Sequence, residues 1–136
     1  MLAFINNRPM QGGILVGLAI SVPHLFLPLD LSVAVASLTL VFIAGIYVGF
    51  AIVNGRDHAF MTEASVAITF SALALGGMFL SAWIIPAGLI GHAVWDFLHH
   101  RKSHMLADIP KWYIPFCIVV DLCLAIILLI SWISGL

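Results

Sequence analysis

The sequence GHAVWDFLHH at residues 91–100 places three histidines and an aspartate in a segment that is otherwise apolar enough to cross a membrane. Because an α-helix advances about 100° per residue, His92, Asp96 and His99 fall within roughly 60° of one another, and His100 widens that arc to roughly 100°. A carboxylate on this polar stripe would cost about 2.5–3.5 kcal/mol against lipid, so the stripe is expected to face protein or a water-filled cavity. The pattern predicts the centre of a functional site inside a membrane helix bundle.

The composition supports that class. The chain has 136 residues, of which 63% are hydrophobic and only 8% are charged, with a formal net charge of −1. A soluble domain of this length has more polar surface than so few charges can supply. A near-neutral chain without a basic patch also excludes nucleic acid as a partner. We therefore expect an all-α, polytopic membrane helix bundle whose immediate partners are membrane lipids.

Five transmembrane helices are expected in a single domain covering residues 1–136. From Phe60 to Arg101 the only acidic residues are Glu63 and Asp96. One helix of that length would be about 60 Å long, roughly twice the hydrocarbon core, so the segment must form a hairpin with its turn near 76–81. Proline and polar breaks divide the rest of the chain. The expected helices are about 11–28, 31–53, 60–75, 80–100 and 112–133.

The distribution of cations orients this bundle. With five spans, the N-terminus and the loops after the second and fourth helices lie on one side, and all five cations fall there: Arg8, Arg56, Arg101, Lys102 and Lys111. The positive-inside rule then predicts a multi-pass protein of the inner (cytoplasmic) membrane, N-terminus inside and C-terminus outside. Gly45 and Gly49 form a GxxxG spacing, which predicts a contact between copies of the chain.

Two acids from other helices are expected to complete the site. Asp121 lies about as deep along the last helix as His92 does along its own, and Glu63 lies in the first turn of the third helix. Imidazoles and carboxylates at i, i+4 and i+7 are suited to Zn, Mn or Fe. We predict His92, Asp96, His99 and His100 as metal ligands, with Glu63 and Asp121 as catalytic acid–base groups.

Simpler interpretations exist for the same residues. His99 and His100 can be interfacial residues, and Glu63 can complement its helix dipole or pair with Arg56. His92 and Asp121 can form a buried structural pair, and His24 is expected to be a satisfied polar group between helices. The two cysteines, Cys117 and Cys123, are too far apart on one helix for a disulfide and match no metal-binding motif.

The polar residues favour an enzyme over a channel, because the opposite half of the bundle offers little polar lining for a conduction path. The leading prediction is a metal-dependent membrane enzyme, a hydrolase or a lipid-modifying enzyme, with a cytoplasm-facing His/Asp/Glu site and a lipid-like or amphipathic substrate. The alternatives are a small proton- or ion-coupled transporter and a structural membrane subunit.

The chain also resembles a family of small bacterial integral-membrane proteins of unknown function. The resemblance rests on an HAxWDxxHH pattern at residues 92–100, a P-x-W-Y pattern at residues 110–113 and an aspartate in the last helix, Asp121. Tyr47, Gly49 and Glu63 are similar to further positions of that family. The family has no established activity, so the resemblance implies which residues form the site and leaves the reaction open.

Overall fold

A computed structural model of the chain describes residues 2–54, 57–101 and 105–134. The secondary structure in these ranges is entirely helical. A short helix, α1, precedes five longer ones, and a 3₁₀ turn (Val22–Leu25) follows α2. The bounds are α1 Leu2–Asn7, α2 Pro9–Ser21, α3 Leu29–Asn54, α4 Asp57–Phe79, α5 Ile84–Leu98 and α6 Tyr113–Ser134. The all-helical class predicted from the sequence is confirmed.

The observed helices differ from the expected ones mainly at their ends. The first expected helix, 11–28, is α2 with Pro9 in its first turn, where the missing proline N–H costs nothing, and it gives way to the 3₁₀ turn after Ser21. The third, expected to end near residue 75, continues to Phe79. Helix α4 continues through Gly77. A Cβ at this position would collide with the side chain of Ile85 in α5. The glycine allows a close approach between two helices and makes no turn there.

Helix α6 is the centre of the bundle. It packs against α2 on one side and against α5 on another, while α3 packs chiefly against α4. The α2–α6 contact depends on glycine, because a Cβ at Gly13 would lie 2.7 Å from the carbonyl oxygen of Phe116. At Gly17 a Cβ would lie 2.8 Å from the Cβ of Cys123. The small-residue face of α2 therefore sets the distance between the two backbones.

The connection between α5 and α6 folds over one end of the bundle. The backbone N–H of Ala107 donates to Glu63 Oε1 of α4 at 3.1 Å, and the backbone N–H of Asp108 donates to Asn54 Oδ1 of α3 at 2.7 Å. Two helices thus hold two consecutive residues of this connection. The end of the bundle that carries the polar stripe is covered by it.

Three of the helices are long and apolar enough to cross a membrane: α3, α4 and α6. Two shorter apolar helices, Pro9–Leu25 and Ile84–Leu98, accompany them. These helices indicate a membrane protein. The rings of Trp83 and Trp132 meet at one end of the bundle, with centroids 6.2 Å apart, as expected of residues at a common membrane interface.

Gly45 and Gly49 take no part in packing within the chain. Both face outward from α3, and a Cβ built on either has no atom within 4 Å among the described residues. The predicted contact between copies of the chain through this face stays a prediction.

The glycine contact between α2 and α6 gives a direct stability test. We expect Gly13→Ala to lower the free energy of unfolding by about 1–3 kcal/mol, because the added methyl group meets a backbone carbonyl that cannot rotate away. Gly45→Ala is the matched control, since it has the same gain in helix propensity and open space around the new methyl group. Unfolding of both variants in detergent, followed by circular dichroism, would measure the difference. Equal stabilities would contradict the assigned helix contact.

Candidate metal centre between α5 and α6

Two helices each supply a pair of side chains to one buried group. His92 and Asp96 are spaced i, i+4 on α5, and Cys117 and Asp121 have the same spacing on α6. This spacing places each pair on one helix face, and the two faces meet where α5 packs on α6. One ligand atom from each of these residues lies within 4.8 Å of the others, and all four residues are buried. We call them the four-residue group.

His92 is the link between the two helices. Its Nδ1 lies 2.8 Å from Asp121 Oδ2 and 3.4 Å from Asp96 Oδ1. A proton on Nδ1 makes it the donor to Asp121, whereas an unprotonated Nδ1 has one lone pair that can accept from a protonated Asp121 or bind a metal ion. The same atom is therefore placed to share either a proton or a metal ion with the two acids.

The hydrogen-bonding capacity of this group is only partly used. Within the described residues, six buried side-chain polar atoms lack a hydrogen-bond partner, and only Ser21 Oγ belongs to a residue outside this region. The others are Tyr47 OH, His92 Nε2, Asp96 Oδ1, Asp96 Oδ2 and Asp121 Oδ1. Buried polar atoms in folded proteins are nearly always paired, and each exception calls for a ligand, a water or a chemical role. With these donor types and unused lone pairs, the group could hold a metal ion.

The two carboxylates of the group need additional positive charge. Asp96 and Asp121 are both fully buried at 0% exposure, and the group contains no lysine or arginine. Two ionised carboxylates in this setting have only one imidazole to balance them, and burying an unbalanced charge costs several kcal/mol. Bound protons or a bound metal cation supply the missing positive charge.

The donor set fits a transition-metal ion. Imidazole, carboxylate and thiolate are the ligands of zinc, at about 2.0–2.3 Å from the metal. In tetrahedral coordination two such ligand atoms lie about 3.3–3.8 Å apart, so a spread of up to 4.8 Å requires side-chain shifts of about 1 Å before all four ligands close on one ion. The soft thiolate of Cys117 favours zinc or iron over manganese.

Glu63 and His99 form a separate cluster. Glu63 Oε1 accepts from His99 Nε2 at 2.9 Å and from the backbone N–H of Ala107, and Glu63 Oε2 accepts from Trp95 Nε1 at 3.2 Å. The other ring nitrogen of His99, Nδ1, lies 3.0 Å from the carbonyl oxygen of Trp95. We call these residues the Glu63–His99 cluster.

The hydrogen bonds of this cluster fix its protonation. A carbonyl oxygen can only accept, so Nδ1 of His99 carries a proton, and a second proton is shared between Nε2 and Glu63. The pair is therefore neutral overall, and neither ring nitrogen has a lone pair left for a metal ion. Its partners give the cluster a structural role at the covered end of the bundle.

Tyr47 separates the two sets of polar residues. Its ring lies between the imidazoles, with centroids 5.4 Å from His92 and 4.9 Å from His99. Its buried hydroxyl faces Asp96, the residue of the four-residue group with which it interacts. Tyr47 thus contributes a polar atom to the surroundings of the four-residue group and an apolar face to the Glu63–His99 cluster.

The structure places the predicted site residues in three locations. His92, Asp96 and Asp121 meet in the four-residue group. Glu63 and His99 lie in their own cluster, and His100 is exposed with its ring against Phe97, at 5.7 Å between centroids. A cavity of about 220 Å³ lies at that end of the bundle, lined by His99, His100 and Arg101 together with residues of the α5–α6 connection. His92, Asp96 and Asp121 are at most 1% exposed and do not line it.

Cys117 is the member of the group that sequence reasoning missed. A single cysteine forms no recognisable spacing with a second cysteine or histidine, so it was assigned no metal-binding role. The available signal was its i, i+4 relation to Asp121, which repeats the relation of His92 to Asp96. The other cysteine, Cys123, is half-buried and lies on another face of α6.

A further polar cluster lies toward the other end of the bundle. His24 Nδ1 and Ser32 Oγ are 2.8 Å apart, and Trp132 Nε1 donates to the same serine oxygen at 3.0 Å. Ser131 Oγ donates to the carbonyl oxygen of His24 at 3.1 Å. The prediction that His24 is a satisfied polar group between helices is confirmed, because these bonds join the 3₁₀ turn to α3 and α6.

The chain matches no protein-family model, no curated protein and no solved structure. The resemblance to a bacterial membrane-protein family therefore stays a prediction.

The structural role of the Glu63–His99 cluster can be tested by removing its acid. We expect Glu63→Gln to lower the free energy of unfolding by about 1–3 kcal/mol, because the amide nitrogen must face one of the donors that Glu63 now satisfies. Asp30→Asn, at an exposed acid in the first turn of α3, is the control and should cost less than about 1 kcal/mol, the contribution of its charge to the helix dipole. Detergent unfolding measures both. An unchanged stability in Glu63→Gln would refute the structural role of this cluster.

Proposed function

We propose that this protein is a metal-dependent membrane enzyme whose metal is held by His92, Asp96, Cys117 and Asp121. The observation that carries the proposal is the buried set of orphaned polar atoms around this mixed imidazole, carboxylate and thiol group. Zn or Fe suits this donor set best, and Mn, also expected from the sequence, suits it less because of the thiolate.

The chemistry that such a site supplies is activation of water or of a carbonyl group. A bound Zn²⁺ acts as a Lewis acid and lowers the pKa of bound water to about 7. With three of the four residues holding the ion, the remaining carboxylate, Asp96 or Asp121, would be available to take or give a proton. Metal-assisted hydrolysis, or modification of a lipid, is the reaction class proposed. Asp121 keeps its expected acid–base role, whereas the hydrogen bonds of Glu63 favour a positioning role.

Transport is the alternative that the same residue types allow. Transport needs a polar path from the four-residue group to the cluster around His24. On α6, Leu124 and Leu128 lie between Asp121 and Ser131, and both leucines are 0% exposed. This apolar stretch is about 15 Å long. Its burial counts against a permanent path and favours the enzyme.

We further propose five membrane spans, with the N-terminus in the cytoplasm, in the inner membrane. The two shorter apolar helices, α2 with its 3₁₀ turn and α5, would then also cross the bilayer. Arg8, Arg101 and Lys111 support this orientation through the positive-inside rule. Arg56 and Lys102, which belong to the same argument, lie outside the described residues.

Metal content is the first test of the proposed enzyme. We expect about one Zn or Fe per chain in the purified protein by elemental analysis, and a loss of most of that metal in Cys117→Ser and Asp121→Asn. Each change keeps nearly the same volume and removes a preferred ligand atom. Cys123→Ser and His100→Ala are the matched controls, because neither residue belongs to the group, and both should keep the metal.

Two results would contradict the metal site. One is a well-folded wild-type protein that contains no metal after purification without chelators and does not take up added Zn²⁺ or Fe²⁺. The other is metal content in both Cys117→Ser and Asp121→Asn equal to that of the two control variants, which would assign the metal to some other part of the chain.

The proposed topology has its own test. With the N-terminus inside and five spans, a fluorescent protein fused to the C-terminus should be dark and alkaline phosphatase fused there should be active, because only the outer compartment supports folding of the phosphatase. The reciprocal pair, fused at the N-terminus, controls for expression. A fluorescent C-terminal fusion would refute the combination of a cytoplasmic N-terminus with an odd number of spans.

A further inference from the structure

The four-residue group is closed toward the end of the bundle. Ala107 is bonded to Glu63 and Asp108 to Asn54, and the ring of Tyr47 lies between His92 and the covered end. A substrate that entered from that end would have to break these hydrogen bonds. A substrate would therefore reach the four-residue group more easily through the side of the bundle.

A groove opens on that side between α2, α3 and α6. It has a volume of about 460 Å³, within the range of about 300–1,000 Å³ that is usual for small-molecule pockets. Its walls are almost entirely apolar, and the hydroxyl of Thr39 is already used within α3, where it donates to the carbonyl oxygen of Val35 at 2.9 Å. The lining includes Val16, Leu38, Thr39, Phe42, Ile46 and Phe116. We call it the lateral groove.

The floor of the lateral groove is also a wall of the proposed metal centre. Cys117 lines the groove and belongs to the four-residue group. Tyr113, whose hydroxyl lies 4.0 Å from Cys117 Sγ, lines the groove beside it. These two residues bring polar atoms to the floor of an otherwise apolar groove, next to Asp96 and Asp121. The groove and the site are thus contiguous.

We propose that the lateral groove binds one hydrocarbon chain of a lipid substrate, which enters sideways from the bilayer and places its polar or reactive end against Cys117. This inference rests on the proposed function, because it identifies the substrate of the same site. The groove lies along α3 and α6, two helices apolar enough to cross a membrane, so hydrocarbon is the medium that it meets.

A lipid chain fits this groove better than a helix from a second copy of the protein. Close helix packing in membranes uses small residues, and the small residues of α3, Gly45 and Gly49, do not line the groove. Its walls carry large side chains such as Phe42 and Phe116 instead. A bulky, uneven apolar wall suits a flexible chain that adapts its shape.

The test uses a phosphatidylethanolamine with a photoreactive diazirine near the head-group end of one acyl chain, in vesicles containing the purified protein. We expect saturable cross-linking to Tyr113, Phe116 or Cys117, suppressed by unlabelled phospholipid. Ile46→Trp fills the groove and should reduce this labelling about tenfold. Val16→Phe fills the groove from α2 and should reduce the labelling to a similar extent. Ile126→Trp, on an exposed part of α6 outside the groove, is the matched control and should not change it.

The outcomes separate this inference from the proposed function, because metal content is measured in the same samples. Labelling that does not saturate, or that is equal in Ile46→Trp and Ile126→Trp, indicates ordinary boundary lipid and overturns the groove proposal even if the metal is present. Cross-links between two copies through the groove also overturn it. Saturable groove labelling in a protein without metal keeps the lipid site and overturns the metal-dependent enzyme.

Discussion

The contact between His92 of α5 and Asp121 of α6 is the constraint on which the site depends. A polar pair between two apolar helices fixes their rotation and depth, because any slip would leave a buried imidazole and a buried carboxylate without partners. With that rotation fixed, Asp96, four residues after His92, and Cys117, four residues before Asp121, point into the same space. The composition of the group therefore follows from one interhelical hydrogen bond and the helical period.

The rest of the bundle is arranged around that helix pair. Glycines at Gly13 and Gly17 let α2 approach α6 closely, and the same close approach forms one wall of the lateral groove. The α5–α6 connection is tied to α3 and α4 over the end of the bundle. Packing thus closes one direction of access and leaves another lined by apolar side chains.

Much of this organisation could be predicted from the sequence, since it depends on local periodicity. Apolar runs indicated the helices, and helix length forced the hairpin that separates α4 from α5. Equal depth brought His92, Asp96 and Asp121 together. The pairing of Glu63 with His99 and Ala107 could not be predicted, because it depends on how a connecting segment folds back. Cys117 was missed because an isolated cysteine has no metal-binding pattern of its own.

The two acid–histidine clusters show why residue type alone does not identify a functional group. The Glu63–His99 cluster and the four-residue group contain the same kinds of side chain, at similar burial. In the first, each carboxylate oxygen and each ring nitrogen has a partner, so the cluster is electrically and geometrically complete. In the second, Asp96 and Asp121 share one imidazole, at 3.4 and 2.8 Å from its Nδ1, and part of their hydrogen-bonding capacity is unused. Such a group is costly to keep in an apolar bundle, and bound protons or a bound metal cation would offset that cost.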